Sequence, residues 1–510
     1  MTMRDPNPPD LDSLFVDPPC DAQVETHISR IYLAGAFAYK LKLAVTLPYL
    51  DFSSLAQRHA AALREVELNR RTAPELYLGL RAVLRAEDSR LYLASAEASA
   101  QPGSIAQAVE WLVQMRRFDA DATLDRQLAL GRLTPELIDA VAEAVAVFHA
   151  EAAPVARDAP RDALAGIKSV AAMNRQSFAA LPAASDLSAS SVAALLDETD
   201  AAIAAAAPLL AQRQAGGFVR RCHGDLHLRN ICLLAGRPVL FDCLEFDDAL
   251  AEIDTAYDIA FLLMDLLARD RIDLANRALN RYLECCQDYA ALALLPLYLS
   301  LRAAIRCHVA ALKPVEAAEA RRYLALARRC LRPGSRRLLA IGGRSGTGKT
   351  TLARALAPLC DAPCGAVVLR SDVIRKQLCG VAPTERLPSE SYTRAASARV
   401  YAEMLTRAQA VLAAGSPVLL DAVFGQTGER QAAAQLAQQQ EAPFRGLWLE
   451  GETEMLAARV TARQGDASDA TAAVVRRQDF AAPGEDWRHC NAALPQAALV
   501  ADAAAWCGLN

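Results

Sequence analysis

Along the first hundred residues, apolar and polar positions alternate in short segments that favour β-strands. Segments 28–33 and 37–43 have this pattern, and 77–84 and 89–94 are candidates for two further strands. Gly35 supplies a turn between the first two, which predicts a β-hairpin. Residues 53–72 have helical spacing with Ser53 as the expected N-cap, and this helix should end before Pro74. A small sheet with one helix is therefore predicted at the start of the chain.

A long helical stretch follows and then changes to a strand–helix alternation. After Gln101 the pattern is mostly helical, with Ala-rich segments at 135–152 and 191–213. Residues 332–337 are polar and turn-forming, and they make the best domain boundary in the chain. Four strand-like runs alternate with helical stretches beyond this boundary: 338–342, 366–369, 417–420 and 444–449. This alternation predicts a parallel sheet built from βαβ units.

The length of 510 residues exceeds what one hydrophobic core usually supports. We predict a flexible N-terminal arm over 1–22, a first domain over 23–331 and a second domain over 332–510. The net charge of −4 does not favour a nucleic-acid or anionic-membrane partner. Thirteen cysteines are scattered without the paired spacing of a zinc site, so reduced thiols are expected rather than a metal centre or disulfides.

Two segments bear on the compartment. The Pro- and Asp-rich stretch 1–20 lacks the apolar core of a signal peptide. The longest uncharged stretch, 290–301, is too short to span a bilayer. We therefore expect a cytoplasmic protein without a membrane partner.

The first chemical motif reads His-Gly-Asp-Leu-His-Leu-Arg-Asn and begins at His223. Its pattern is typical of the catalytic loop of protein-kinase-like enzymes, in which positioning and charge neutralisation supply most of the rate. Asp225 would accept or orient the proton of an attacking hydroxyl. Asn230 would bind a magnesium ion together with Asp242, which ends the following apolar strand. His223 is expected to hold the loop by hydrogen bonds.

A strand lysine and a helix carboxylate should complete this site. Lys40 lies in the second strand of the hairpin, and Lys42 points to the same face because strand side chains alternate. We prefer Lys40 as the lysine that binds the α- and β-phosphates. Glu65 on the following helix is the first candidate for its partner and Glu67 is the second, while a solvated helix face is the competing interpretation.

Three further acids have two interpretations each. Asp258 is either the helix carboxylate that anchors the catalytic loop or a surface acid. Glu245 and Asp247 either reach the metal or substrate, or are solvated loop carboxylates.

The second motif is a Walker A loop, with an apolar strand before it and a helix after it. The candidate nucleotide-binding residues are Gly343, Arg344, Ser345, Gly346, Thr347, Gly348, Lys349, Thr350 and Thr351. The glycines let backbone N–H groups face phosphates, and the helix N-terminus adds its positive dipole end. Lys349 would reach the β- and γ-phosphates and act in catalysis, and Thr350 would ligate magnesium.

Two carboxylates and three arginines extend this second site. Asp421 follows a predicted strand and is a Walker B-like candidate for magnesium binding. Asp372 is similar to the carboxylate that receives the acceptor hydroxyl in small-molecule P-loop kinases, with Arg375 as a substrate clamp; an N-cap role is the alternative. Arg459 and Arg463 share one helix face and resemble the catalytic lid arginines of these kinases, or are solvated.

Two family resemblances rest on these motifs. Residues 25–267 resemble the aminoglycoside phosphotransferase family, although no G-x-G-x-x-G loop precedes Lys40. Residues 336–500 resemble gluconokinase- and zeta-toxin-like P-loop kinases of the AAA type. The whole arrangement is similar to bacterial bifunctional predicted kinases. The implied fold is an α+β protein-kinase-like bilobal domain followed by a three-layer α/β P-loop kinase domain with a parallel sheet.

The resemblance implies a tandem ATP-dependent phosphotransferase. Each domain would bind ATP and Mg²⁺ and transfer phosphate to a hydroxyl group of a small molecule. Two alternatives stay open at this point. One domain is a nucleotide-binding sensor that regulates the other, or the C-terminal domain is a zeta-toxin-like or polynucleotide kinase.

Overall fold

A computed structural model describes most of the chain. The described residues are 11–15, 19–26, 28–47, 50–156, 162–182, 186–462, 467–478, 480, 483–484 and 487–509. Among them, no helix combines the length and the apolar character needed to cross a membrane.

The strands are β1 (Cys20–Glu25), β2 (Ser29–Ala34), β3 (Phe37–Lys42), β4 (Thr46–Leu47), β5 (Leu50–Asp51), β6 (Tyr77–Arg85), β7 (Leu91–Leu93), β8 (Glu110–Arg116), β9 (Val219–Arg221), β10 (Ile231–Leu234), β11 (Arg237–Leu240), β12 (Glu252–Asp254), β13 (Leu338–Gly343), β14 (Val367–Arg370), β15 (Val418–Asp421), β16 (Phe444–Glu450) and β17 (Trp487–Asn491).

The helices are α1 (Leu55–Asn69), α2 (Ala96–Ser99), α3 (Pro102–Gln107), α4 (Leu124–Ala129), α5 (Pro135–Glu151), α6 (Ala163–Ala179), α7 (Ala189–Ala215), α8 (Asp248–Ala251), α9 (Thr255–Ala268), α10 (Ile272–Cys286), α11 (Leu295–Ala311), α12 (Ala317–Cys330), α13 (Lys349–Leu356), α14 (Ser371–Leu378), α15 (Arg394–Ala413), α16 (Thr427–Gln439), α17 (Thr453–Ala462), α18 (Ala472–Arg477) and α19 (Gln496–Cys507).

The chain forms two compact units. Unit 1 comprises Met1–Ser169 and Ala207–Leu262, and unit 2 comprises Val170–Ala206 and Leu263–Asn510. The helices between residue 263 and the segment 332–337 therefore belong to the same unit as the Walker A loop. The predicted domain boundary at 332–337 stays a prediction. The two compact units are divided at other residues.

Unit 1 is built on an antiparallel sheet of six strands in the order β1-β2-β3-β8-β6-β7. The predicted hairpin is present as β2 and β3, with Tyr32 opposite Tyr39. Helix α1 packs on the sheet through Ala62 and Val66, which share a buried cluster with Val113 of β8. The N-cap of α1 is Ser54 rather than the predicted Ser53, because Ser54 accepts the N–H of the third helical residue.

Two parts of unit 1 differ from the sequence prediction. Strand β8 lies in a region expected to be helical, and its first six residues are buried between β3 and β6. Its apolar positions, 111–113 and 115, show neither strict alternation nor helical spacing, so the pattern does not separate a buried strand from a buried helix. Leu11 and Phe15, assigned to a flexible arm, are buried in a cluster with Tyr32 and Tyr39, so these two residues belong to the core.

Unit 2 contains a parallel sheet of five strands in the order β14-β15-β13-β16-β17. Helices α13 and α19 join one buried cluster with the sheet, through residues such as Leu352, Leu499 and Ile341. Helices α15 and α16 contact the sheet through β14, β15 and β16. The four predicted strands are present, and β17 was missed. The predicted fold class is confirmed: a protein-kinase-like α+β fold and an α/β P-loop fold with a parallel sheet.

The outer edge of strand β14 is covered by side chains of helix α10. The Oδ1 atom of Asn280 accepts the backbone N–H of Val368 at 2.7 Å. The carbonyl oxygen of Ala366 accepts Nδ2 of Asn276 at 2.9 Å and Nδ2 of Asn280 at 3.1 Å. These contacts satisfy backbone groups that an edge strand otherwise leaves unpaired.

Candidate functional sites

A buried carboxylate anchors the predicted catalytic loop in unit 1. Asp258 accepts the backbone N–H of His223 at 3.0 Å and that of Gly224 at 2.8 Å. Its Oδ2 atom also lies 3.0 Å from Nε2 of His149. Asp258 is fully buried, so a surface acid, the second interpretation of this residue, is wrong.

The loop residues contact one another at its tip. Nδ2 of Asn230 donates to the carbonyl and to Oδ2 of Asp225, both at 2.9 Å. Nδ1 of His223 lies 3.3 Å from the backbone nitrogen of Asp225, and Nε2 of the ring donates to the carbonyl of Phe241 at 2.9 Å. His223 thus has contacts that hold the loop in place.

Lys40 joins the sheet, the helix and the end of the β10–β11 hairpin. Its Nζ atom lies 2.8 Å from Oε1 of Glu65 and 2.6 Å from Oδ1 of Asp242. Burial opposes the charge on Lys40, but the carboxylates of Asp242 and Glu65 outweigh it and raise the pKa of the lysine well above its usual value. Asp242 has φ 62, in the left-handed region, and its backbone N–H donates to the hydroxyl of Tyr77 at 3.2 Å.

A second lysine uses the other oxygen of the same glutamate. Nζ of Lys42 lies 2.7 Å from Oε2 of Glu65 and also binds Glu245. Burial raises the pKa of Glu245, and the neighbouring carboxylate of Glu65 adds to this rise against the attraction of the lysines. Glu67, the second candidate partner, is exposed. Glu245 is buried, so a solvated loop carboxylate, one of its two interpretations, is wrong.

The side chains of this site fit a magnesium ion and a nucleotide. Hard cations prefer oxygen ligands, and Asp242 and Asn230 offer a carboxylate and an amide oxygen. Among the described residues, one group of His, Cys and Asp side chains has ligand atoms close enough for a metal: His149, Cys222 and Asp258. Both carboxylate oxygens of Asp258 already accept backbone N–H groups, so this cluster serves as the anchor of the loop.

The Walker A loop of unit 2 follows β13 and leads into α13. Gly343, Gly346 and Gly348 have φ 129, 86 and 91, which favour glycine. A Cβ atom at Gly343 would lie 2.4 Å from the carbonyl oxygen of Leu449, and one at Gly346 would lie 2.6 Å from that of Leu456. The loop conformation therefore requires glycine at the first two positions for space as well as for φ.

The polar side chains of the loop converge on the sheet edge where strands end. Nζ of Lys349 donates to the carbonyls of Gly343 and Arg344, both at 2.9 Å. The hydroxyl of Thr350 donates to Oδ2 of Asp421 at 2.6 Å. A Walker A threonine beside a strand-end carboxylate fits a magnesium ion bound to nucleotide phosphates. Arg344 itself contacts Thr453 and Gly451, so its side chain fixes the loop.

A cavity of about 1210 Å³ extends from the Walker A loop. It brings together most of the predicted residues of the second site: Ser345, Gly346, Gly348, Lys349, Thr350, Thr351, Asp372, Arg375, Asp421 and Arg459. Gly343, Arg344 and Thr347 are not among its lining residues. Arg463 lies outside the described residues.

Asp372 and Arg375 also line this cavity. Burial raises the pKa of Asp372, and the nearby charge of Asp421 raises it further. The guanidinium of Arg375 donates to the carbonyl of Ser391 at 2.7 Å and stacks 4.7 Å from the ring centre of Tyr392. Arg459 lines the cavity, but its Nη1 donates to the carbonyl of Ala492 at 2.9 Å.

Sequence reasoning did not identify the contacts that Asp469 makes at this cavity. Oδ2 of Asp469 accepts from Nζ of Lys376 at 2.6 Å, from the hydroxyl of Tyr392 at 2.5 Å and from the backbone N–H of Leu387 at 3.0 Å. Lys376 is buried. Nothing in the sequence pairs Asp469 with these residues, which lie more than 70 positions earlier.

Two family models match the chain in the regions of these sites. One, described as a phosphotransferase enzyme family, matches residues 117–295, and one described as an AAA domain matches residues 338–482. The fold, the sites and these matches define a chain with two kinase-type domains. An uncharacterized protein of Mycobacterium tuberculosis (strain H37Rv) is 33% identical over 498 residues, which cover 94% of this chain and 95% of the relative. The chain belongs to the family of this protein.

A relative from Mycobacterium bovis has the same identity and coverage. Among solved structures, a gluconokinase from Sinorhizobium meliloti is 21% identical with a TM-score of 0.26, covering 34% of this chain and 92% of its own. A choline/ethanolamine kinase family protein from Mesorhizobium loti is 12% identical with a TM-score of 0.38, covering 61% of this chain and 87% of its own. The family resemblance predicted from the motifs is confirmed.

Proposed function

We propose that the protein is a tandem ATP-dependent phosphotransferase in which each kinase-type domain transfers phosphate to a hydroxyl group of a small molecule. The observation that carries this proposal is that each site brings a lysine together with candidate metal-binding side chains. In unit 1, Lys40 contacts Asp242 beside the Asp225–Asn230 loop. In unit 2, Lys349 and Thr350 lie on the Walker A loop with Asp421 2.6 Å from the threonine hydroxyl.

At the first site, bound ATP and Mg²⁺ would supply the phosphoryl group and neutralise its charge. Asp225 would orient the acceptor hydroxyl and accept its proton, since its side chain is about 40% exposed while Asn230 holds it in place. Asp242 and Asn230 would hold the metal. Lys40 would bind phosphate oxygens, and Glu65 would keep the lysine oriented.

At the second site, Lys349 would bind the β- and γ-phosphates, and Thr350 with Asp421 would hold the metal. Asp372 would orient the acceptor, with Arg375 and Arg459 contributing positive charge; Arg463 is proposed with them from the sequence alone. The cavity of about 1210 Å³ exceeds the roughly 300–1,000 Å³ of single-ligand pockets, which supports room for a nucleotide and a small acceptor together. The net charge of −4 does not favour a polynucleotide acceptor.

The decisive experiment uses labelled ATP and a fractionated pool of small metabolites. The full-length protein is compared with Asp225→Ala, with Lys349→Ala and with the double variant. We expect each single variant to lose one set of labelled products and retain the other. If Asp225→Ala loses no product, the first site is a nucleotide sensor. If Lys349→Ala abolishes every product, the two sites are coupled and the proposal of two independent transferases is wrong.

A further inference from the structure

A glutamine side chain occupies one of the backbone donors of the Walker A loop. Oε1 of Gln478 accepts the backbone N–H of Ser345 at 2.9 Å, and its Nε2 donates to the hydroxyl of Ser345 at 3.2 Å. The N–H groups of such a loop are the donors that face phosphate oxygens when nucleotide binds. The amide oxygen of Gln478 therefore takes the chemical place of a phosphate oxygen.

Gln478 ends a segment that lines the same cavity as the Walker A loop. It follows α18 directly, and α18 packs through Val475 in a buried cluster with Leu456 and Val460 of α17. Asp469, at the other end of this segment, accepts from the buried Lys376 and from Tyr392, which lines the cavity beside Asp372 and Arg375. The segment is thus bound to the acceptor side of the cavity at one end and to the phosphate side at the other.

We propose that Gln478 is a latch that competes with nucleotide phosphate for the N–H of Ser345. This inference rests on the proposed nucleotide binding at the Walker A loop. Binding of nucleotide replaces the amide oxygen by a phosphate oxygen, which releases the end of α18 from the loop. Part of the intrinsic affinity of the loop for nucleotide is then used to break the two hydrogen bonds of Gln478, so the latch lowers the observed affinity.

Removal of the side chain should consequently tighten nucleotide binding. Two hydrogen bonds of ordinary net strength, about 0.5–1.5 kcal/mol each, correspond to a change in Kd of roughly five- to 140-fold. Gln478→Ala should bind Mg-ATP more tightly by a factor in this range. Ser345→Ala loses only the bond between the hydroxyl and Nε2, so it should show a smaller change in the same direction. Gln435→Ala, at an exposed position of α16, is a matched control that should leave Kd unchanged.

The experiment is calorimetric titration of the full-length protein with Mg-ATP. The binding component that Lys349→Ala removes is assigned to the Walker A loop, and only this component is compared among the variants. Tighter binding in Gln478→Ala supports the latch. An unchanged or weaker Kd overturns it, since Gln478 would then be indifferent to the nucleotide or would help to bind it. Absence of any component that depends on Lys349 overturns the proposed nucleotide site as well.

A second measurement needs no titration. Arg476 and Arg477 at the end of α18 are exposed and are trypsin sites. Mg-ATP should speed trypsin cleavage at these arginines in the wild-type protein, because it releases the end of the helix. In Gln478→Ala the cleavage should already be fast without nucleotide and should change little when ATP is added. Protection by ATP in the wild-type protein would contradict the latch.

Discussion

Nζ of Lys42 lies 2.7 Å from Oε2 of Glu65, the carboxylate oxygen that the other lysine of the site does not bind. Glu65 is completely buried, so its negative charge needs compensation by nearby cations. Lys40 and Lys42 both supply it. Both lysines and burial act on its pKa: burial raises it, and Lys40 and Lys42 outweigh burial and lower it. The two lysines therefore have different roles. Lys40 contacts both Glu65 and Asp242, whereas Lys42 contacts Glu65 and Glu245.

These different roles predict different results for the two lysines. Lys42→Met leaves the buried charge of Glu245 without its partner, and breaking a buried pair in this way costs about 3–5 kcal/mol. We expect a lower thermal unfolding midpoint, with much of the loss restored in Lys42→Met/Glu245→Gln. Lys40→Met should instead abolish transfer at the first site. Equal midpoints for the single and double Lys42 variants would contradict the pairing.

Asp258 should control the catalytic loop without contacting substrate. Asp258→Ala removes the acceptor for two buried backbone N–H groups, each worth about 1–3 kcal/mol when left unpaired. We expect the rate of transfer at the first site to fall at least tenfold and the unfolding midpoint of unit 1 to drop. Transfer at the second site serves as the internal control and should be unchanged. A fully active Asp258→Ala protein would show that the loop keeps its shape without this anchor.

The second site should have an unusual pH dependence. Burial and the charge of Asp421 raise the pKa of Asp372, and a protonated carboxyl cannot accept a hydroxyl proton. The rate should fall as pH decreases through this raised pKa, at a higher pH than for an ordinary aspartate. Asp421→Asn removes the like charge and should move this acidic limb toward lower pH; under the proposed function it should also weaken metal binding. If the acidic limb of the pH–rate profile does not shift when the residual activity of Asp421→Asn is measured, a group other than Asp372 is titrating.

The covered edge of β14 can be tested in the intact chain. Asn280→Ala leaves the backbone N–H of Val368 without its acceptor, at a cost of about 1–3 kcal/mol. We expect a lower unfolding midpoint for unit 2 and a larger decrease in Asn276→Ala/Asn280→Ala. The double variant should also self-associate more at high protein concentration, as light scattering would detect. A wild-type midpoint in the double variant would show that the helix is dispensable for this edge.

Local patterns in the sequence predicted the motifs and most of the strands that carry them. The Walker A glycines, the catalytic loop and the hairpin of Lys40 depend on neighbouring residues, so they are visible in one sequence. Contacts between distant positions are not visible in one sequence. Lys40 and Asp242, for example, are 202 positions apart. Strand β8 was not predicted because its apolar positions, 111–113 and 115, have no period that separates a strand from a helix.

The roles of Gln478 and Asp469 had no local signal either. An amide or carboxylate in a polar loop looks solvated until the fold brings a donor to it. The sequence left Asp258 as either an anchor of the catalytic loop or a surface acid, and only its burial and its two N–H contacts decide between them. Burial and long-range pairing are properties of the folded chain, which explains why the side chains that position the site were harder to predict than those in the motifs.

Asn276 and Asn280, which cover the edge of β14, limit where the chain can be cut into two independent parts. A Walker A cassette excised at the segment 332–337 would leave Asn276 and Asn280 behind and expose the edge they cover. An uncovered parallel strand is a template for pairing with a neighbouring copy. Recombination that separates the two halves at this segment would therefore produce an aggregation-prone product, so helix α10 has to be inherited together with the Walker A sheet.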